Sequence, residues 1–162
     1  MALVAISLGT NKQTEFHLNK AIFLIRPFIN ELKISPVYES EPVSFGGANF
    51  KNIVFGGETN LSLEQFIKLL KSIENQYGRD RSSSNKSEIT LDLDLLFYAD
   101  CICEDPIKLP RDEITKNAFV LLPLADIFAD VHHPALKKTY GQLKAEYNNP
   151  QQKLWTINFN WD

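Results

Sequence analysis

The chain is 162 residues long, 44% hydrophobic and 23% charged, a balance that excludes disordered, collagenous and coiled-coil chains. That length supports one hydrophobic core, so a single domain over residues 1–162 is expected. A formal net charge of -3 leaves no broad basic surface for nucleic acid or anionic lipid. No apolar run reaches the roughly 18–20 residues that span a bilayer, and no basic segment precedes an apolar one as in a secretory signal. A cytoplasmic protein with small-molecule partners, neither nucleic acid nor membrane, is expected, with a monomer favoured. Cys101 and Cys103 flank one residue, a spacing unsuited to a mutual disulfide and only half a zinc site.

Residues 3–8 are apolar apart from Ser7 and stop at Gly9-Thr10-Asn11, which predicts a buried first strand. From Thr14, the apolar residues Leu18, Ala21, Ile22 and Ile25 recur at steps of three and four, predicting a helix that ends or kinks near Pro27. Residues 32–43 read as extended, and Pro36 and Pro42 favour an edge or a bulge over an unbroken central strand. A loop over 45–48 precedes a strand over 50–59, whose Gly56-Gly57 pair marks a bulge or a close backbone approach. Ser62 and Gln65 have capping-box spacing, and the helix they open carries Phe66, Leu69, Leu70, Ile73 and Tyr77 toward a Gly78 cap. Residues 79–88 form a serine-rich loop with a cationic start. A strand over 90–98, helices over 119–128 and 140–147, and a strand over 153–159 complete the chain. Strand, helix, strand, strand, helix, strand is the order of an α+β, ferredoxin-like antiparallel sheet flanked by helices, in three layers.

The segment Thr90-Leu91-Asp92-Leu93-Asp94-Leu95 carries the strongest chemical signal. With a period of two, Asp92 and Asp94 share one face about 7 Å apart along the strand, and the leucines take the other. Such a pair repels unless a cation intervenes. Mg²⁺ suits it, because that ion binds through one or two carboxylates together with water and substrate phosphates. A strand with one wet face would show the same alternation. Arg79 and Arg81 precede the pair in the polar loop, where guanidinium groups can fold over polyphosphate, or equally sit solvated at a helix end. Acid pair and arginines together point to phosphoryl-type transfer.

The chain resembles the 6-hydroxymethyl-7,8-dihydropterin pyrophosphokinase family of folate biosynthesis over nearly its whole length. The matching segments are Leu8-Gly9-Thr10-Asn11, Val37-Tyr38-Glu39-Ser40-Glu41-Pro42, Asn49-Phe50-Lys51-Asn52 and Ile73-Glu74-Asn75-Gln76-Tyr77-Gly78-Arg79. The acid-pair segment through Phe97 and Asn117-Ala118-Phe119-Val120-Leu121-Leu122-Pro123-Leu124 continue the match. The resemblance implies transfer of pyrophosphate from ATP to the hydroxymethyl group of the pterin, releasing AMP. It implies that Asp92 and Asp94 ligate two Mg²⁺ ions and act in catalysis with Arg79 and Arg81. Phe50 and Phe119 would sandwich the pterin ring, and Asn52, Ser40 and Val43 would complete its pocket. Glu74, Arg79, Arg81 and Arg111 would face ATP.

The departures from the family lie on the phosphate side. Where the family carries Trp-Gly-Pro-Arg-Thr before the acid pair, this chain has Lys86-Ser87-Glu88-Ile89-Thr90. The family's Pro-His-Tyr is Pro110-Arg111-Asp112, and its arginine before the second aromatic is Asn117. Charge-assisted contacts contribute roughly 1.5–3 kcal/mol each, so two uncompensated losses would slow catalysis by orders of magnitude. Arg111, Lys116 and Lys86 stand near the vacated positions as candidate replacements. Glu41, where the family often has proline, borders the expected pterin site. Three readings follow: an active divergent enzyme, a weakened relative that still binds a pterin-like heterocycle, or a ferredoxin-like interaction module.

Overall fold

The apolar alternation of the first segment produces β1 (Ala2–Thr10), which lies between two antiparallel neighbours, β4 (Phe50–Thr59) and β5 (Asp92–Tyr98). The structure, a computed structural model, describes residues 1–42, 47–77 and 90–162. The expected Gly78 cap and the 79–88 loop lie outside the described residues, as do residues 45 and 46 of the 45–48 loop. Among the described residues six strands make one sheet in the order β5-β1-β4-β3 (Val37–Ser40)-β6 (Leu154–Ile157), with β2 (Asn30–Ile34) also on β4. Every pairing is antiparallel.

The helix α1 (Thr14–Ile25) follows β1 and passes at Pro27 into one turn of 3-10 helix over Arg26–Phe28, where proline removes a donor. The stretch expected to be one extended segment is two strands, β2 (Asn30–Ile34) and β3 (Val37–Ser40). The break falls at Ser35-Pro36, and Ser35 keeps it against β4: its amide donates to the Val54 carbonyl at 2.9 Å, and its hydroxyl accepts from the Val54 amide at 3.0 Å. The expected irregularity falls in β2, whose register on β4 shifts between Asn30 and Lys33, whereas β3 is not at an edge, because β6 (Leu154–Ile157) pairs on its far side. Close backbone approach explains the paired glycines of β4. A Cβ on Gly56 would stand 2.1 Å from the Val4 carbonyl oxygen, and one on Gly57 2.5 Å from that of Asn30.

Two layers of helix cover the sheet. On one face, α1 and α2 (Leu63–Gln76) lay Leu18, Ile22, Phe66 and Leu70 over Ile6, Ile53 and Leu93. Ser62 and Gln65 close the expected capping box at the start of α2. On the other face lie α3 (Glu113–Lys116), α4 (Ala118–Phe128) and α5 (Tyr140–Glu146), which bury Val120, Leu124 and Tyr140 against Ala5, Val54 and Phe97. A register shift in β5 opposite Ala5/Ile6 makes Leu96 an extra residue, so Leu96 and Phe97 both serve this second core. The four residues of α3 are too few for periodicity to reveal, and the sequence reading missed them. Cys101 and Cys103 are free thiols beyond the end of β5.

Candidate functional site

Register places the acidic pair. Asp92 lies opposite Gly9 and Asp94 opposite Ser7 on β1, while Gly9 in turn faces Asn52 on β4 and Asn52 faces Tyr38 on β3. Asp92, Gly9 and Asn52 therefore form a row across three strands, on the face opposite Leu91, Leu93 and Leu95. This row floors a cavity of about 260 Å³, walled by Ser40, Phe50, Leu96 and, from the helical layer above, Asn117 and Phe119. Glycine belongs in the floor because of close approach: a Cβ on Gly9 would lie 3.1 Å from Asn52 Oδ1 and 3.9 Å from Phe50 Cδ1.

The carboxamide of Asn52 is buried and oriented. Its Nδ2 donates to Ser40 Oγ at 3.0 Å, and Oδ1 is directed to the space above Gly9. Phe50 and Phe119 are half-buried and reach the cavity from β4 and α4, so two aromatic side chains and one fixed amide converge there. Phe119 owes its place to the junction before α4. Gln152 Nε2 and the Tyr147 hydroxyl both donate to the Lys116 carbonyl at 2.9 Å, and Gln152 Oε1 accepts from the Ala118 amide. Sequence reasoning missed Gln152, since nothing local marks a residue 34 positions from its partner.

Arg111 is fastened to the outer edge of β5. Its backbone amide donates to the Leu96 carbonyl at 2.9 Å and Nε to the Leu95 carbonyl at 3.2 Å, which occupies edge groups that face no further strand among the described residues. Its Nη2 donates to Asp94 Oδ1 at 3.1 Å, and Nη1 stands 3.8 Å from Glu113 Oε2. Glu113 itself lines the cavity, and its Oε2 is buried without a hydrogen-bond partner among the described residues. Glu74, expected to face ATP, also has a structural partner. It is buried on α2, and Oε2 accepts from the Leu93 amide at 2.8 Å, so it caps an outward amide of the same edge strand. The carboxylate is drawn there because β5, last in the sheet among the described residues, leaves that donor without a backbone acceptor among them. Val43, Arg79, Arg81, Lys86 and Ile89 lie outside the described residues.

Behind the cavity, Tyr38 donates to Asp126 of α4, and Lys144 Nζ of α5 lies 3.7 Å from Asp126 Oδ1. Burial, and then the Asp126 carboxylate, push the Tyr38 phenol well above its usual range.

Comparison with known proteins decides the family. Residues 5–129 match 7,8-dihydro-6-hydroxymethylpterin-pyrophosphokinase (HPPK). The chain belongs to the HPPK family. It is similar to the 2-amino-4-hydroxy-6-hydroxymethyldihydropteridine pyrophosphokinase of Aquifex aeolicus, 33% identical over 90% of this chain and 92% of that protein. The enzyme of the same name from Bacillus subtilis is also 33% identical, over 80% of each chain. A folate synthesis bifunctional protein of Arabidopsis thaliana is 33% identical too, but this chain spans only 26% of it. Among solved structures, a Plasmodium falciparum HPPK-DHPS matches with a TM-score of 0.73 over 90% of this chain and 45% of that one, at 14% identity. At that identity the likeness speaks for the fold. HPPK activity is the chain's function in folate biosynthesis: an ATP-dependent pyrophosphokinase acting on hydroxymethyldihydropterin.

The donor set fits the cation such an enzyme would use. Asp92 and Asp94 offer hard oxygen donors, and the exposure of Asp94, 35% of its side chain, leaves the group reachable. Among the described residues no group of three or more His, Cys, Asp or Glu is disposed to hold a metal ion. Two carboxylates suit Mg²⁺ completed by water and phosphate. No helix among the described residues is long and apolar enough to cross a membrane.

Proposed function

We propose that pyrophosphoryl transfer takes place over the row Asp92, Gly9, Asn52, with the pterin at the Asn52 end and the ATP phosphates at the Asp92 and Asp94 end. One observation carries this reading: a single cavity joins an aromatic pair, an oriented amide and an acidic pair. Phe50 and Phe119 take the two faces of the flat heterocycle and exclude water from them. Asn52 Oδ1 accepts from a ring N–H while Ser40 holds the amide in place, which orients the hydroxymethyl group toward the acidic end.

Asp92 and Asp94 would hold two Mg²⁺ ions. The ions would neutralise phosphate charge and lower the pKa of the attacking alcohol. In the reaction the hydroxymethyl oxygen forms a bond to the β-phosphorus of ATP, the bond from that phosphorus to the α,β-bridging oxygen breaks, AMP departs, and the alcohol proton is lost to solvent or phosphate. Arg111 stands on the phosphate side, where the family's histidine and a further arginine are replaced, and Arg79 and Arg81 serve the same anion. The same reading takes residues 1–162 as one catalytic domain working as a monomer in the cytoplasm. Nothing in the site favours an interaction module.

A coupled assay of AMP release tests the reading. Turnover should require Mg²⁺ and the pterin, and Asp92→Ala or Asp94→Ala should remove it while calorimetric pterin affinity changes little. Metal-independent turnover, or full activity in both variants, would refute the assignment.

A further inference from the structure

Arg111 does more at this site than face phosphate. Its guanidinium is held at three points by the protein itself: the Leu95 carbonyl, Asp94 and, more distantly, Glu113. Two of those anchors survive if Asp94 is withdrawn. The Arg111 and Asp94 side chains are 31% and 35% exposed, a pair neither fully solvated nor sealed. An oxygen of a carboxylate proposed to ligate metal is thus already engaged, by a cation that cannot be deprotonated.

We infer that Arg111 is a positioning residue that engages Asp94 in the nucleotide-free enzyme and yields it only when a divalent cation arrives together with ATP. The inference rests on the proposal that Asp94 is a metal ligand. A bare divalent cation approaching Asp92 and Asp94 meets a fixed positive charge within a few ångströms and competes with Nη2 for the Asp94 carboxylate, with no phosphate oxygen brought to the guanidinium in return. A cation bound to nucleotide brings phosphate oxygens with it. The guanidinium then exchanges one oxyanion for another, while the Leu95 carbonyl and Glu113 keep it at the rim. Cation and nucleotide therefore favour one another's binding, and linkage makes that coupling reciprocal. The arrangement also restrains Asp94 and lessens its repulsion of Asp92 before substrate binds. Arginine suits this exchange better than lysine, because its planar fork meets a carbonyl and a carboxylate in one orientation.

The test measures Mn²⁺ binding to the full chain by electron paramagnetic resonance of the free ion, with and without α,β-methylene-ATP, the uptake by the analogue alone being subtracted. Wild type should bind Mn²⁺ weakly alone and much more tightly with the analogue. Arg111→Gln should bind Mn²⁺ alone roughly tenfold tighter, a screened value for one charge removed at this distance, and should lose most of the tightening by the analogue. Arg111→Lys, which keeps the charge but not the fork, should stay near wild type without nucleotide and show reduced tightening with it. Equal or weaker binding of Mn²⁺ alone by Arg111→Gln, with wild type still binding the ion, overturns the role of Arg111 and leaves the metal site standing. Failure of wild type to bind Mn²⁺ even with the analogue, or unchanged binding in Asp94→Asn, overturns the metal assignment and this inference with it.

Discussion

Gly9→Ala probes the floor of the cavity with one methyl group. Gly9 has no left-handed backbone, so alanine introduces no strain in φ, and in the middle of a strand it is favoured over glycine by roughly 0.5–1 kcal/mol through the unfolded chain. The new Cβ would lie 3.1 Å from Asn52 Oδ1, where ordinary contact begins at 3.4 Å. Asn52 must therefore shift by about 0.3 Å, and its bond to Ser40 Oγ, now 3.0 Å, stretches toward the upper end of hydrogen-bond range. Partial loss of a buried bond, of order 1 kcal/mol, offsets the backbone gain, so the denaturation midpoint should barely move. Pterin affinity has no such compensation, because the methyl both occupies the floor and turns the amide that reads the ring edge. One misdirected hydrogen bond with an under-satisfied polar partner amounts to about 1–2 kcal/mol, or roughly five- to thirtyfold in Kd. Isothermal titration with a pterin analogue, beside urea denaturation of the same samples, measures both quantities. An unchanged Kd in a stably folded variant would refute the placement of the pterin over Gly9. A fall in stability that tracks the fall in affinity would show a general loosening instead.

Gln152→Ala removes the tie between the C-terminal segment and the start of α4, so the pterin KM should rise severalfold with kcat nearly unchanged; a kcat effect with constant KM would contradict a role in holding Phe119. Phe119→Ala should weaken pterin binding by more than tenfold, whereas Phe119→Leu, which keeps bulk without a π face, should recover stability but not affinity in the same titrations. His133 supplies a pH dependence. Its Nδ1 accepts from the amides of Ala135 and Leu136 at 3.2 and 3.1 Å, and burial lowers its pKa below the ordinary 6.5. A depressed folded value means that the unfolded chain binds the proton more readily, so this contribution is whole above about pH 6.5 and is lost as pH falls through the folded value. Urea midpoints between pH 5 and 8 should show His133→Asn with a shallower acid-side decline than wild type; parallel curves would exclude His133 as the source.

Much of the fold was legible because burial imposes periodicity on the chain. The apolar stretch of β1, broken only by Ser7, the three-four spacing of α1 and the Ser62/Gln65 cap are local consequences of backbone geometry. The acid pair was legible for the same reason: alternate residues of a strand share a face, and Leu91, Leu93 and Leu95 had to take the core side. The break between β2 and β3 was not, because Ser35 holds it by bonds to Val54, nineteen positions away.

By itself, then, the amino-acid order determined which residues repeat on a face, where helices and strands begin, and, through the family likeness, the reaction class. Tertiary structure alone decided which faces meet. It set Asp92 beside Gly9 and Asn52 by pairing strands, closed Phe119 of α4 over that row, turned Glu74 onto the Leu93 amide and bound Arg111 to Asp94. The reason is physical: an edge strand's outward amides and carbonyls, like a carboxylate near another, must find partners wherever the folded chain brings them, and no local pattern encodes that distance.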